Sequence, residues 1–365
     1  MHPLLPIYFL MSIFALFGVG MKDSSQRAMV WLSGWGTMLV VMLSVAFRPI
    51  EGDTWRYYVI FARLSEMRFP EIFSDGDGNL GFTSLNWLLG QLGSHPLMLL
   101  VPITLFCVLM LRHSLRQLFS PTLTAIAILL YSVYPFFVFY VGSGIKQAIA
   151  MAMLLQAYIC FFQGQRRAWL WIVAAPLFHS AALLAYPFLF VHLLLWRPSF
   201  GYRRALILSL AFYSLCIILA ITELNKTLVE PLQAYVGSGR YEIYFFDAED
   251  FNYRNGFRAD FTIFSMIPLA AALWLRRTGQ GISAGVSGWW LNLYILLASI
   301  YQLFTFAPFA DRFASFGWYL VPMIVLLMLT EVGRKRPLQI VLIGFVFINL
   351  LMLQFYTGKS LALPF

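Results

Sequence analysis

The sequence predicts an all-α, polytopic integral membrane protein, and three observations support this prediction. Of the 365 residues, 61% are hydrophobic and only 11% are charged, whereas a soluble domain carries about 25% charged residues. The mean hydropathy is +0.77, so the chain has more apolar surface than a soluble fold of this size can bury. Apolar runs recur along the chain, and about ten spans fit at roughly 20 residues each. A cytosolic enzyme, a secreted domain and a disordered chain are thereby excluded.

Ten apolar runs are long enough to cross a bilayer. They lie near 3–20, 28–46, 96–111, 121–141, 145–163, 205–222, 259–275, 289–307, 313–330 and 338–355. A further run, 168–196, is long for one span and short for two, and Pro176 interrupts it. We interpret it as a hairpin of two short helices that bends near Pro176–His179 and enters and leaves on the same side. The whole chain, 1–365, then forms a single transmembrane domain.

Positive charge sets the predicted orientation. Six short connections between the runs are basic, and they hold 14 of the 25 Lys and Arg residues but only 2 of the 16 acids. Because Lys and Arg accumulate in cytoplasmic loops, we assign these connections to the cytoplasm. Both termini and two long loops, 47–95 and 223–258, then face outside. The net charge of +9 is therefore a topology signal and not evidence for nucleic-acid binding.

The first candidate site lies just outside the second run. Ionisable groups near the membrane are functional candidates, and here Arg48, Asp53 and Tyr57 follow one another closely. Gly52 permits a tight turn between them. An Arg and an Asp on such a turn either form an interfacial salt bridge or jointly hold an anion and a hydroxyl, and the residue types alone leave both readings open.

Two more candidates, Lys146 and His179, lie at predicted helix ends on the outer side. Lys146 follows a Gly-Ser-Gly turn at a helix start, where positive charge opposes the helix dipole. It therefore indicates a bound anion such as phosphate, unless its ammonium simply extends to the lipid headgroups. His179 lies at the apex of the hairpin. It is either a general base, because its pKa lies near neutral pH, or a structural residue that holds the bend.

The second half of the chain contributes arginines. Arg240 and Tyr241 lie in the loop 223–258, Arg258 ends that loop, and Asp311-Arg312 forms a short outer turn. Arginine is the preferred partner of phosphate oxygens, although an Asp-Arg pair can also only hold two helices together. The three cysteines have neither disulfide nor zinc spacing, and there is no P-loop. No metal site and no cofactor are predicted, and an ATP-driven pump is unsupported.

Four motifs in the first half of the chain resemble the EpsG family of Wzy-type polysaccharide polymerases, in that family's order. They are Arg48…Gly52-Asp53-Thr54…Tyr57, Gly81-Phe82, Gly144-Ile145-Lys146-Gln147-Ala148-Ile149-Ala150 and Phe178-His179-Ser180-Ala181. One departure is that the family usually has Arg where this chain has Lys146, which keeps the cation but loses bidentate phosphate binding. Beyond about residue 200 the similarity is loose and rests on Arg240-Tyr241 and Asp311-Arg312.

The resemblance implies a metal-independent glycosyltransferase of the bacterial inner membrane, with its active site facing the periplasm. Donor and acceptor would be oligosaccharide repeat units linked to undecaprenyl pyrophosphate, within the bilayer, and a chain-length regulator protein is a possible partner. His179 would be the base, with Asp53 as its rival or as the group that orients Arg48. The implied substrate-binding residues are Arg48, Tyr57, Lys146, Gln147, Arg240, Tyr241, Arg258, Asp311 and Arg312.

Three other functions fit parts of the same pattern. A ligase of the O-antigen type has the same architecture and donor but transfers finished polymer to another acceptor. A flippase or transporter of lipid-linked glycans also needs cations within the membrane. However, transporters tend to place their sites near the midplane between repeats, and this chain has no visible repeat. A membrane acyltransferase would use His179 as base, but arginines suit a pyrophosphate donor better.

Overall fold

The structure is a computed structural model that describes residues 24–48, 50, 52–75, 78–228, 256–277, 286–307, 310–332, 342–350 and 352. Within these residues the chain forms helices and turns without any strand, which confirms the all-α prediction. The predicted run 3–20 lies outside them, as do most of the loop 223–258 and half of the run 338–355. The chain divides into two compact units: unit 1, Met1–Ala182 with Gly333–Phe365, and unit 2, Leu183–Val332.

Unit 1 is built from nine α-helices among its described residues, with a further helical stretch at 342–350. They are α1 (Ser24–Ala46), α2 (Asp53–Glu66), α3 (Ile72–Asp75), α4 (Leu80–Gly90), α5 (Leu97–Arg116), α6 (Pro121–Ser132), α7 (Pro135–Gly142), α8 (Ile145–Phe162) and α9 (Ala168–Phe178). Helix α8 packs against α5, α7 and α9, while α2 and α9 both pack against α4. The core of unit 1 therefore surrounds α8, in which 15 of 18 residues are buried.

Unit 2 contains seven α-helices in its described part, with a further helical stretch at 224–228. They are α10 (Tyr186–Leu195), α11 (Tyr202–Ile221), α12 (Ala259–Ser265), α13 (Ile267–Arg277), α14 (Val286–Leu303), α15 (Ala310–Trp318) and α16 (Val321–Val332). Helices α10, α11, α15 and α16 all pack against α14. Sixteen of the 18 residues of α14 are buried, so this helix forms the centre of unit 2.

The described helices identify an integral membrane protein but do not confirm about ten spans. Four segments are long and apolar enough to cross a membrane, namely Leu97–Arg116, Ile145–Phe162, Tyr202–Ile221 and Ala310–Glu331. A fifth candidate is the pair α6 and α7, which together pass the same criteria. The other described runs form shorter, less apolar or interrupted helices, so the count of about ten spans stays a prediction.

The apolar run 121–141 is not one continuous helix, because α6 and α7 are bent by 70° at the break between them. Pro135 is the first residue of α7, and Tyr134 before it is extended with φ −82° and ψ 115°. Proline has no N–H for the helix ladder and disfavours helical backbone in the preceding residue. The sequence Tyr134-Pro135 thus explains the bend.

The predicted span 259–275 is also interrupted, at Met266 between α12 and α13. Pro268 is the second residue of α13, where its missing N–H removes no helical hydrogen bond. The carbonyl of Ser265 accepts a 2.7 Å hydrogen bond from the Tyr294 hydroxyl, and the Ser265 hydroxyl accepts a 2.7 Å bond from the indole of Trp318. Side chains of α14 and α15 therefore satisfy polar groups at the break.

The run 168–196 is broken where the sequence predicts. Helix α9 ends at Phe178, His179 is extended with φ −152° and ψ 105°, a 3₁₀ turn covers Ser180–Ala185 and α10 follows. Pro176 lies inside α9, so the break falls at His179 itself. The side of the membrane on which the two helices begin and end stays a prediction.

Candidate functional site

Arg48 is buried at the junction between α1 and α2. Its side chain is 6% exposed, and its Nε and Nη2 donate to the hydroxyl of Thr54 at 3.1 and 2.7 Å. Nη1 donates to the Val45 carbonyl at 3.4 Å. Gly52 makes this return of the chain possible, because its φ of 55° lies in the left-handed region. The turn therefore clamps the guanidinium between two neutral oxygens.

The charge of Arg48 persists despite this burial. Loss of solvent lowers the pKa of Arg48 to about 10, while Tyr57 nearby acts in the opposite direction. A pKa of about 10 leaves the group protonated at neutral pH. Nη1 also faces the end of α7, since a Cβ atom added to Gly142 would lie 3.3 Å from it. The cation therefore lies beside the turn that leads to Lys146.

Lys146 lies in a corner formed by two aromatic rings. Its Nζ is 5.4 Å from the ring centroid of Tyr57 and 5.7 Å from that of Phe82. The two rings pack edge to face at 5.8 Å and 70°. Cation–π contacts of this kind stabilise an ammonium group without neutralising its charge. The corner joins the start of α8 to α2 and α4.

Lys146 is in the first turn of α8, as predicted. The preceding Gly144 caps the helix without a side-chain hydrogen bond, and Gln147 in the same turn is only 4% exposed. The first N–H groups of a helix have no intrahelical acceptor and carry partial positive charge. This helix start therefore adds to the positive potential of the lysine.

The break at His179 is tied to α4 by a long-range hydrogen bond. The backbone N–H of Ser180 donates to Oδ1 of Asn79 at 3.0 Å. Asn79 is 7% exposed and caps α4. Gly81 allows the close approach, because a Cβ atom there would lie 3.1 Å from both Leu177 and the Phe178 ring. The Nδ1 atom of His179 is buried.

These contacts bring together motifs that are more than 100 residues apart in the sequence. The end of α1 meets α2 through Arg48 and Thr54, and α2 meets α8 through Tyr57 and Lys146. The start of α4 meets α8 through Phe82 and meets the α9 break through Asn79 and Gly81. We call these residues the unit 1 cluster: Arg48, Thr54, Tyr57, Asn79, Gly81, Phe82, Lys146 and His179.

An apolar cavity lies next to the unit 1 cluster. Its volume is about 260 Å³, and its lining is Leu85, Pro102, Ile103, Phe106, Ile149, Met153 and Phe178. Three of the lining residues adjoin the cluster in sequence, because Leu85 and Ile149 follow Phe82 and Lys146 by one helical turn and Phe178 precedes His179. A cationic group and an apolar cavity are therefore adjacent, which is the arrangement that binding of an amphiphilic anion requires.

A family model described as the EpsG family matches residues 34–364, which is most of the chain and includes every element of the unit 1 cluster. The chain belongs to the EpsG family. This is the family of Wzy-type polysaccharide polymerases, so the protein is a polymerase-type membrane protein, as the motifs predict. Comparisons with curated proteins and with solved structures find no match.

Unit 2 of this EpsG-family protein contains another part of the predicted site. Arg258 donates through Nε and Nη2 to the carboxylate of Asp260, at 3.2 and 2.5 Å, and its guanidinium lies 3.7 Å from the ring centroid of Phe261. Arg258 and Asp311 line one small cleft with Tyr301. Two of the donor atoms of Arg258 are therefore used within unit 2.

Four predicted site residues remain, namely Asp53, Arg312, Arg240 and Tyr241. Asp53 is half-buried and begins α2, where a carboxylate favours the helix dipole. Arg312 is half-buried in the first turn of α15. Arg240 and Tyr241 lie outside the described residues. Among these groups, only Asp53 lies next to the unit 1 cluster in sequence.

No individual role was predicted for four residues of the unit 1 cluster, namely Thr54, Asn79, Gly81 and Phe82, although Gly81 and Phe82 form one of the quoted motifs. Thr54 lies inside the quoted motif, and a hydroxyl near a buried Arg is a detectable signal. Asn79 had no such signal, because its partner is a backbone group 101 residues away. Only the three-dimensional fold brings those groups together.

Proposed function

We propose that this protein polymerises oligosaccharide repeat units linked to undecaprenyl pyrophosphate, at the periplasmic face of the bacterial inner membrane. In this proposal the unit 1 cluster binds the pyrophosphate of the donor. The supporting observation is that two cations and a broken helix, from four separate motifs, meet beside an apolar cavity. Cationic side chains next to an apolar cavity are complementary to an anion that is linked to a lipid.

Arg48 and Lys146 would stabilise the leaving group. Arg48 is held by neutral oxygens, and the ammonium of Lys146 contacts two aromatic rings, so both cationic side chains are held in place. Fixed donors in a partly dry site stabilise charge that develops in the transition state better than mobile solvent does. The role of metal ions in pyrophosphate departure would thus fall to side chains and to the N-terminus of α8.

The apolar cavity would take the first isoprene units of the donor lipid. Its volume of about 260 Å³ limits it to a short piece of the chain, so the rest of the tail would lie in the bilayer. The lining residues Leu85, Ile149 and Phe178 place the cavity one helical turn or less from cluster residues. Headgroup and tail would therefore bind at adjoining sites.

His179 would remove the proton of the acceptor hydroxyl. The acceptor oxygen forms a bond to the anomeric carbon of the donor, the bond from that carbon to the pyrophosphate oxygen breaks, and the hydroxyl proton moves to the imidazole. The Asn79 bond to the Ser180 N–H would hold the imidazole at the break. Asp53 remains the alternative base, or it orients a sugar hydroxyl.

Sugar recognition would involve further residues. We assign to this role Gln147, Arg240, Tyr241, Arg258, Asp311 and Arg312. Arg258 already uses two donors on Asp260, which favours contacts with sugar hydroxyls over binding of pyrophosphate. The partners of the protein would then be the two lipid-linked glycans, the bilayer and a chain-length regulator.

The proposal is tested with purified protein and lipid-linked repeat units, by separating the products by chain length. We expect His179→Ala to leave single units while binding of the lipid donor persists. His113→Ala is the matched control, because His113 is exposed at the end of α5, and it should give full-length polymer. Full-length polymer from His179→Ala would remove His179 as the base. Transfer of finished polymer without elongation would indicate a ligase.

A further inference from the structure

Unit 2 contains a second, larger apolar site that the proposed reaction does not use. It is a groove of about 900 Å³ between α11 and α13, with α14 as its floor. The floor is formed by Leu291 and Ile295, and the α13 side includes Leu269 and Leu273. We call this site the unit 2 groove.

The groove is long as well as wide. Along α11 its lining extends from Arg203 to Ile217 and includes Ile207 and Leu210 at helical spacing. At about 1.5 Å per residue, the 14 residue steps from Arg203 to Ile217 correspond to about 21 Å. One leaflet contributes about half of the roughly 30 Å hydrocarbon core. The groove is therefore long enough to hold most of the length of an acyl chain.

One end of the groove is cationic and aromatic. Arg203, Tyr202 and Trp196 all line that end, and the rings of Trp196 and Tyr202 lie 4.9 Å apart. Trp and Tyr concentrate at the level of lipid headgroups. Arg203 is also in the first turn of α11, where the helix dipole adds partial positive charge. This end of the groove is therefore complementary to an anionic headgroup, and the apolar rest of the groove is complementary to a hydrocarbon chain.

We infer that the unit 2 groove binds an anionic phospholipid, with its phosphate at Arg203 and its acyl chains along α11 and α13. Charge complementarity selects this occupant over a zwitterionic lipid, because basic pockets between membrane helices bind anionic headgroups. The short basic connection that carries Arg203 is predicted to face the cytoplasm. A lipid from the cytoplasmic leaflet is therefore expected here, and not the substrate, whose pyrophosphate lies in the periplasmic leaflet.

Lipid retention by the purified protein tests this inference, measured by native mass spectrometry after delipidation. Phosphatidylglycerol, phosphatidylethanolamine and a polyisoprenyl phosphate are added in separate samples. We expect phosphatidylglycerol to be retained at least fivefold more than phosphatidylethanolamine. Arg203→Ala should reduce that retention at least fivefold. Arg204→Ala is the matched control, since Arg204 is an exposed neighbour that does not line the groove, and it should stay within twofold of the unmodified protein.

A second variant separates the groove from the charge. Leu210→Trp keeps Arg203 and fills the groove, so it should lower phosphatidylglycerol retention as much as Arg203→Ala does. Equal losses in the Arg203 and Arg204 variants would show diffuse electrostatic attraction and overturn the proposal. Preferential retention of the polyisoprenyl phosphate through Arg203 would also overturn it, because the occupant would then be a substrate-type lipid.

Discussion

Among the described residues, unit 1 buries a charged side chain and unit 2 does not. The charged side chain is Arg48, whose hydrogen-bond partners in the described part of unit 1 are neutral oxygens. The buried polar side chains described in unit 2 include His192, Asn292 and Ser209, each 0% exposed. Ser209 donates to Asn292 at 2.9 Å, and the amide of Asn292 lies 2.8 Å from Nδ1 of His192. This network joins α10, α11 and α14.

The network of unit 2 consists of uncharged groups. The Ser209 hydroxyl occupies Oδ1 of Asn292, so the amide nitrogen is the atom that donates to His192. Nδ1 of the imidazole is then the acceptor, and the ring is neutral. The edge of the His192 ring packs at 90° to the Trp289 ring, with the centroids 4.4 Å apart. Such a network joins helices at small electrostatic cost.

Under the proposed function, the difference favours unit 1 as the binding site of the donor pyrophosphate. A buried charge with neutral partners is costly, whereas hydrogen-bonded neutral groups are common between membrane helices. Under the proposed function, the donor pyrophosphate would supply the counter-charge for the buried Arg48. The His192 network carries no charge and links three helices of unit 2. Substitution of Arg48 in unit 1 should therefore lower activity, whereas substitutions in the His192 network of unit 2 should lower stability.

The largest effect is expected for Arg48→Ala. Loss of a fixed cation at the leaving group should reduce the polymerisation rate at least 100-fold, by analogy with removal of a preorganised donor, and Arg48→Lys should be intermediate because the fork to two oxygens is lost. Chain elongation by purified protein is the measurement. Thermal unfolding in detergent should change little. If Arg48→Ala instead lowers the unfolding temperature but retains the activity per folded molecule, Arg48 has a structural role.

A smaller effect is expected for Asn79→Ala. Losing the bond to the Ser180 N–H should misplace His179 and lower kcat roughly 10-fold, with little change in the donor KM. Ser180→Ala is the matched control, because the bond uses the backbone N–H and survives that substitution. Steady-state kinetics of both variants provide the comparison. Equal losses in the two variants would show that the effect is not specific to the bond between Asn79 and the Ser180 N–H, and would contradict its positioning role.

The smallest effect on activity is expected for Asn292→Ala in unit 2. Hydrogen bonds between membrane helices contribute about 0.6–2 kcal/mol each, so this variant should unfold at a lower temperature. Ser209→Ala removes only one of the two bonds and should cost less. Elongation per folded molecule should stay within about twofold, since one bond of this size does not control the chemistry. A large loss of specific activity at unchanged stability would give His192 a functional role.

Local sequence signals predicted much of unit 1. Lys146 was assigned to a helix start and His179 to a helix break, and both positions are confirmed, because glycine and proline act on neighbouring backbone. The same logic applied to Tyr134-Pro135 would have predicted the 70° bend, which hydropathy averaging concealed. The segment 47–95, predicted only as an outer loop, contains α2, α3 and α4.

Long-range contacts were not predictable from a single sequence. Nothing near Asn79 indicates that it accepts from Ser180, and nothing near His192 indicates Asn292, 100 residues away. Hydrophobic periodicity specifies which face of a helix is buried, but it does not specify the partner helix. The residues of the candidate site were therefore predictable as types and positions, while their arrangement required the fold.

Binding of undecaprenyl pyrophosphate tests the central claim most directly. Isothermal titration in detergent would compare the unmodified protein with Arg48→Ala and Lys146→Met in unit 1 and with Arg258→Ala in unit 2. If the unit 1 cluster holds the pyrophosphate, each unit 1 variant weakens binding at least 10-fold, whereas Arg258→Ala stays within threefold because that guanidinium is already bonded to Asp260. Unchanged affinity in both unit 1 variants, with a large loss in Arg258→Ala, would contradict the assignment.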